Sequence, residues 1–280
     1  MNRLSVHERH GPSVGLEHLS LREEPLPVFV GAAAAGGAAT ICLSVTHPGV
    51  HDRRELREAL TRLDALNISV AMGDGFLVSP KSDPDSLGRR LDVLAELGAP
   101  LANVCAFEPD PAVQRDPDRI QDVLGEFCQV ARAAQVNVLI EFTPLSHVPS
   151  LAAAVRLVEQ LDQPNLKILV DTLHLARAGE GPDDIRRMDQ QLIGYCQLSD
   201  GPRASEGFAA YLDEAVHERA IPGHGELALE EVVSLMPPQT TVSAEVPLRS
   251  LKQAGVPPEE RARRILDGTR RVLARARFRQ

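Results

Sequence analysis

The stretch "LKILVDTLHLARAG", Leu166–Gly179, sets an acid where a buried strand needs none. Ile168–Val170 is apolar and β-rich, yet it runs into Asp171 and then, three residues on, His174. A strand tip that ends in an acid is explained by a site, and the reading turns on finding partners for Asp171. Outward from this stretch, one theme repeats: a short β-rich run, a few loop residues, then an amphipathic segment.

The runs are "VGLEHLSL" (Val14–Leu21), "AATICLSV" (Ala38–Val45), "NISVAMGDGFLV" (67–78), "LANVCAF" (Leu101–Phe107), "VNVLIEFTP" (136–144), "LKILV" (166–170), "IGYCQLSD" (193–200) and "TTVSAEVP" (240–247). Between them, helical faces are marked by Leu56, Leu60, Leu63 and Leu66, by Leu87–Leu97, by Ile120, Val123, Leu124, Phe127 and Val130, and by Leu151, Val155, Val158 and Leu161. A short polar helix is expected near Asp183–Gln190. Eight strand runs alternating with helices predict parallel strands joined by helical crossovers. That number of units within 280 residues fits one α/β domain over 1–280, a closed (β/α)8 TIM barrel. An open doubly wound sheet would carry a Gly-rich loop after its first strand. "GAAAAGGAAT" (Gly31–Thr40) precedes strand two instead, and reads as a helix end packed closely on the barrel. The longest irregular region, Asp200–Leu227, is expected to be a lid or substrate loop.

Composition narrows the class of partner. Hydrophobic residues make up 43% and charged ones 25%, ordinary for a globular chain. The net charge of −9 disfavours sequence-independent binding of nucleic acid, because that affinity comes from neutralising phosphates. Cys42, Cys105, Cys128 and Cys196 form no C-x-x-C pair and read as free thiols of a reducing compartment. "MNRLSVHERHGPSVG" at the start has no apolar signal-peptide core, and no apolar run approaches the ~18 residues of a spanning helix. A cytoplasmic protein without membrane partners is the expectation.

Barrel enzymes place their chemistry at the carboxyl ends of the strands. There, strand five offers Glu141, strand six Asp171, strand seven Gln197 and strand eight Glu245. Three carboxylates converging on one point repel one another unless a cation lies between them. The pattern therefore predicts a metal site. Its all-oxygen donors suit magnesium or manganese better than zinc. Asn103 on strand four is placed to hydrogen-bond a substrate hydroxyl.

"LIEFTP", "VDTLHLARAG", "IGYCQLSDGP", "ERAIPGHGEL" and "VSAEVP" together resemble the successive signatures of the xylose isomerase-like barrel superfamily. It takes in sugar phosphate isomerases and epimerases, dehydratases and endonuclease IV. The resemblance implies a divalent ion held by Glu141, Asp171, the position of Gln197, and Glu245. Gln197 departs from the histidine of most ketose epimerases and is similar to the amide of certain bacterial 3-dehydroshikimate dehydratases. His224 stands where relatives commonly carry an acid. The resemblance further implies that His174 acts on substrate oxygens and that Arg219 is a substrate-binding cation. His18 and His147 are read as exposed or capping residues. The closing run "RARRILDGTRRVLARARFRQ" reads as a solvated helix with Ile265, Leu266, Val272 and Leu273 against the barrel, a homodimer contact being the alternative.

The chemistry expected is removal of a carbon-bound proton beside a polarised carbonyl of a small polyhydroxy substrate, by Glu141 or Glu245. Return of the proton makes an isomerase or epimerase, the first expectation. Loss of a β-hydroxyl, with His174 as the acid, makes a 3-dehydroshikimate dehydratase-like lyase, the alternative. An abasic-site endonuclease lacks its further metal ligands, since Glu218, Arg219 and Ala220 occupy that part of the lid loop. A catalytically inactive binding barrel is the remaining reading.

Overall fold

The computed structural model describes residues 13–110, 112–114 and 116–277. Most of the opening stretch "MNRLSVHERHGPSVG", and the last three residues of the basic run, lie outside them. Eight strands follow in chain order: β1 (Gly15–Leu16), β2 (Thr40–Ser44), β3 (Ser69–Val78), β4 (Leu101–Ala106), β5 (Asn137–Glu141), β6 (Leu166–Asp171), β7 (Ile193–Leu198) and β8 (Thr241–Ala244). They close into a barrel in sequential order, every pair parallel and β1 joining β8. This is the single (β/α)8 barrel that the alternation predicts.

Strand periodicity of two sorts side chains between lumen and helix layer. Cys42, Met72, Leu139, Leu169 and Tyr195 form an apolar plug inside the barrel, separate from the main core under the helices. On β7 the split is plain: Tyr195 points into the lumen while Cys196 and Leu198 join the outer core. Two residues above each plug residue, at the carboxyl end, stands a polar one: Ser44, Asp74, Glu141, Asp171 and Gln197. Asn103 stands in the same relation to Leu101, Glu17 to Gly15, and Glu245 to Ser243. One step of strand period thus turns a greasy floor into a polar ring.

Helix starts are fixed by caps that the sequence carries. Asp52 accepts from the amides of Arg54 and Glu55, Asp116 from Arg119 and Ser150 from Ala153, giving Arg53–Leu66, Pro117–Ala133 and Leu151–Leu161. The closing helix, Pro258–Arg277, buries Ile265, Leu266, Val272 and Leu273 as its stripe predicts.

Four local expectations are corrected. Val14–Leu21 is not one strand: only Gly15–Leu16 pairs, and His18–Leu21 coils into a 3-10 turn that buries Leu21. Gly31–Thr40 does end a helix, but Gly36 packs on the closing helix rather than on the barrel. A Cβ there would lie 2.5 Å from Leu266 Cδ1. Asp200–Leu227 is not wholly irregular, because Phe208–His217 is helical, with Tyr211 and Ala215 on its buried face. His18 is neither exposed nor a cap. It lies 2% exposed with its ring 4.7 Å from those of Phe29 and His47, and its Nδ1 accepts from the amide of Ser44.

Candidate active site and metal centre

Asp171 ends β6 and also begins the next helix, Thr172–Arg177: its Oδ1 accepts from the amides of Leu173 at 2.7 Å and His174 at 3.4 Å. A helix cap accounts for one oxygen. The other, Oδ2, accepts from Arg219 Nη1 at 2.7 Å, and Arg219 Nη2 lies 2.8 Å from Glu245 Oε2. All three side chains are buried. Breaking a buried pair of this kind strands a charge and costs about 3–5 kcal/mol. Arg219 itself is steadied by Nε donating to the carbonyl of Ala215 on the Phe208–His217 helix.

The remaining polar ring closes round this pair. Asn103 Nδ2 donates to Glu141 Oε2 at 2.7 Å and, more weakly, to Asp74 Oδ1 at 3.4 Å. Gln197 Nε2 donates to Glu245 Oε1 at 3.2 Å, leaving Gln197 Oε1 buried without a partner. Below it, Glu17 is 1% exposed and accepts from the hydroxyl of Tyr195 at 2.8 Å. His174 turns Nε2 towards Glu141 Oε1 at 3.5 Å and Asp171 Oδ2 at 3.9 Å. Its Nδ1 meets the Tyr211 hydroxyl at 2.8 Å, and that hydroxyl meets Thr143 Oγ1 at 2.6 Å.

Electrostatics follow from burial and crowding. Burial, then Asp171 and Asp74, pushes the Glu141 carboxyl up to about 8. Burial also raises Glu245, against the pull of Arg219. At Asp171 burial is overcome by the Arg219 guanidinium, which brings the carboxyl down to about 2. Burial lowers His174 to about 4, so its imidazole is neutral at pH 7. Among the described residues, Glu17, Asp74, Glu141, Asp171 and Glu245 bring five carboxyl groups to this end of the barrel, and the buried guanidinium of Arg219 pairs with two of them, Asp171 and Glu245.

That imbalance, with the orphaned oxygen of Gln197, fits a cation. Ligand atoms of Glu141, Asp171 and His174 all lie within 4.8 Å of one another, spaced as ligands of one ion would be. The structure thus gathers Glu141, Asp171, Gln197, Glu245, His174, Arg219 and Asn103 in one mouth. It places Arg219 against two of the acids, where a substrate-facing cation was expected. His224 is exposed on the loop, and His147 is half-buried. Glu17, Ser44, Asp74, Thr143, Tyr195 and Tyr211 are further members that the sequence reading did not single out.

The lid loop is built by Asp200. Its carboxylate accepts from the amides of Gly201, Gly223, Gly225 and Leu227, while its backbone bridges Ala220. A Cβ at Gly225 would lie 2.3 Å from Asp200 Oδ1, which explains a glycine in "PGHGEL".

Residues 22–272 match the xylose isomerase-like TIM barrel family. The chain belongs to that family. The 3-dehydroshikimate dehydratase of Pseudomonas putida is 28% identical over 148 residues, 51% of this chain and 22% of that protein. A second 3-dehydroshikimate dehydratase, from Pseudomonas aeruginosa, is 28% identical over 49% of this chain and 21% of its own. The chain therefore spans about a fifth of the length of the curated relatives it matches. The solved IOLI protein with a binding zinc atom superposes with a TM-score of 0.77 at 15% identity, covering 95% of this chain and 99% of that one. The D-psicose 3-epimerase of Clostridium cellulolyticum H10 with D-tagatose gives 0.71 at 15%, over 95% and 99%. At such identities these two establish the barrel architecture. Among the described residues, no helix is long and apolar enough to cross a membrane.

Proposed function

We propose that this xylose isomerase-like barrel is a divalent-metal-dependent enzyme that takes a proton from carbon beside the carbonyl of a small polyhydroxy substrate. The observation that carries the reading is the excess of buried carboxyl groups round one mouth with a single buried guanidinium to balance them. Glu141, Asp171, Glu245 and the free oxygen of Gln197 are the residues that would hold the ion. When bound, a divalent cation supplies Lewis-acid polarisation of the carbonyl.

The chain's own groups supply the proton steps. Glu141 or Glu245, once ionised, is the base. His174 is neutral, and where the Tyr211 hydroxyl donates to Nδ1 the imidazole proton sits on Nε2, the nitrogen turned into the mouth. Such an N–H can donate to a departing hydroxyl. Dehydration then balances: the base takes the C–H proton, the electron pair forms the new C=C bond, and the β C–O bond breaks with His174 Nε2–H hydrogen-bonded to the departing oxygen, which leaves as water with the proton the base has taken.

Dehydration of a hydroxy-ketone of the 3-dehydroshikimate kind has the most support, from Gln197, from the His174–Tyr211 pair and from the names of the curated relatives. This reverses the order expected from sequence. Isomerisation or epimerisation is the second reading, favoured by two carboxylates, Glu141 and Glu245, reaching the mouth from separate strands. Manganese-loaded protein in deuterated water, offered 3-dehydroshikimate and a panel of ketoses, tests both. A catechol acid supports dehydration, while deuterium entering a ketose without loss of water supports the second reading. Neither event on any substrate would sink the proton-abstraction reading.

A further inference from the structure

An amide ligand brings a problem that a carboxylate does not: it can turn either its oxygen or its NH2 towards a cation, and the NH2 repels it. At Gln197 the NH2 donates to Glu245, and the oxygen is left buried and free. Glu245 is itself a candidate ligand and cannot be relied on to hold that NH2 once an ion draws its oxygens away. The other carboxyl against Gln197 is Glu17, which stands at the end of β1 outside the candidate ligand set. Among the described residues, Glu17 has no basic partner. Its carboxyl accepts from the Tyr195 hydroxyl at 2.8 Å, and Cys42, Ser243 and Gln197 are the other polar side chains pressed against it. Burying an acid with no cation beside it is costly for folding alone, so the position asks for another reason.

We propose that Glu17 is a positioning residue whose carboxyl, pinned by Tyr195, holds the NH2 of Gln197 and so turns the Gln197 oxygen towards the ion. The inference rests on Gln197 being a ligand. Tyr195 and Gln197 are two apart on β7 and face the lumen together, so the strand itself sets the pin beside the amide.

The test is a Mn2+ titration of metal-free protein, read by the paramagnetic resonance of free Mn2+, with a melting curve for each variant. Gln197→Ala and Glu17→Met are each expected to weaken Mn2+ binding about 10-fold or more, the usual effect of losing a ligand's orienting partner. Glu17→Met is expected to keep or raise the melting temperature, because it replaces an uncompensated buried acid by an apolar chain of similar shape. Wild-type affinity in Glu17→Met overturns the inference while leaving Gln197 a ligand. Wild-type affinity in Gln197→Ala instead removes the ligand reading beneath it. Should Glu17→Met fail to fold, Tyr195→Phe removes the pin alone, and undiminished Mn2+ affinity there is equally fatal.

Discussion

The two halves of the barrel mouth are built differently. On β5–β8 the acids are interlocked: Asp171 and Glu245 share Arg219, Gln197 leans on Glu245, and His174 is clamped by Tyr211. On β2–β4 the polar groups keep free valences. Asp74 has one long side-chain contact at 3.4 Å besides the amide of Gly75, Asn103 Oδ1 is unpartnered, and the Ser44 hydroxyl meets that of its neighbour Thr46 at 3.0 Å. A rigid half suits holding an ion and moving a proton, since reacting groups must be placed before the reaction starts. A half with open hydrogen-bonding capacity suits the hydroxyls of a substrate, which complete it on arrival.

The sharpest way to break this contrast is to damage the rigid half. Glu141→Gln should lower kcat/KM by roughly 10³-fold while the circular dichroism and melting curve stay native, within the span expected for losing a positioned base. Asp171→Asn should cost as much activity with native circular dichroism but a lowered melting temperature, because it leaves Arg219 short of one of its two acids. Activity within about 10-fold of wild type, at saturating manganese, would show that the interlocked half is scaffolding. Asp74→Asn should act on the other side of the divide. KM rises about 10-fold, as for losing a hydrogen bond to a charged group, with kcat and Mn2+ affinity little changed. A loss of Mn2+ affinity matching that of Asp171→Asn would merge the two halves into one site.

The smallest expected effect is in the pH dependence of metal-free stability. Glu141 is raised from 4.5 to about 8, so the folded protein holds its proton more tightly than the unfolded chain does. Its contribution is full below 4.5 and is lost as pH rises through about 8. Melting temperature of metal-free wild type should therefore fall across that window, and Glu141→Gln should flatten the slope. An unchanged slope in the variant would place the crowding elsewhere in the ring.

The rigid half was legible in sequence and the open half mostly was not, for a physical reason. Glu141, Asp171, Gln197 and Glu245 each sit at the end of a β-rich run, where a polar residue stands out. Asp74 lies inside such a run, between Gly73 and Gly75, where an acid reads as a turn. Glu17 was hidden because β1 contributes only two paired residues and its neighbours coil. Asn103 alone of that side was readable, as an amide in an otherwise apolar strand. Counting two residues up from each lumen position would have found Ser44, Asp74 and Glu17 together. No such count reaches Tyr211 or Thr143, because their contacts with each other and with His174 depend on where the Phe208–His217 helix docks. Arg219 was legible, through the family resemblance, as a substrate-binding cation but not as the partner of two acids, since that requires knowing which way the lid loop folds back.

β1 is stitched to β2 and to β8 by two residue pairs on each side, far fewer than bind β3 to β4 or β4 to β5. Short ladders are where a closed sheet unzips first, and amide protons there exchange soonest. Glu17 sits on that stitch and, through Tyr195, ties it to the strand directly across β8. An occupied mouth would then rivet the weakest stave of the cask, and slower exchange at residues 15–17 would report loading from a place no ligand touches.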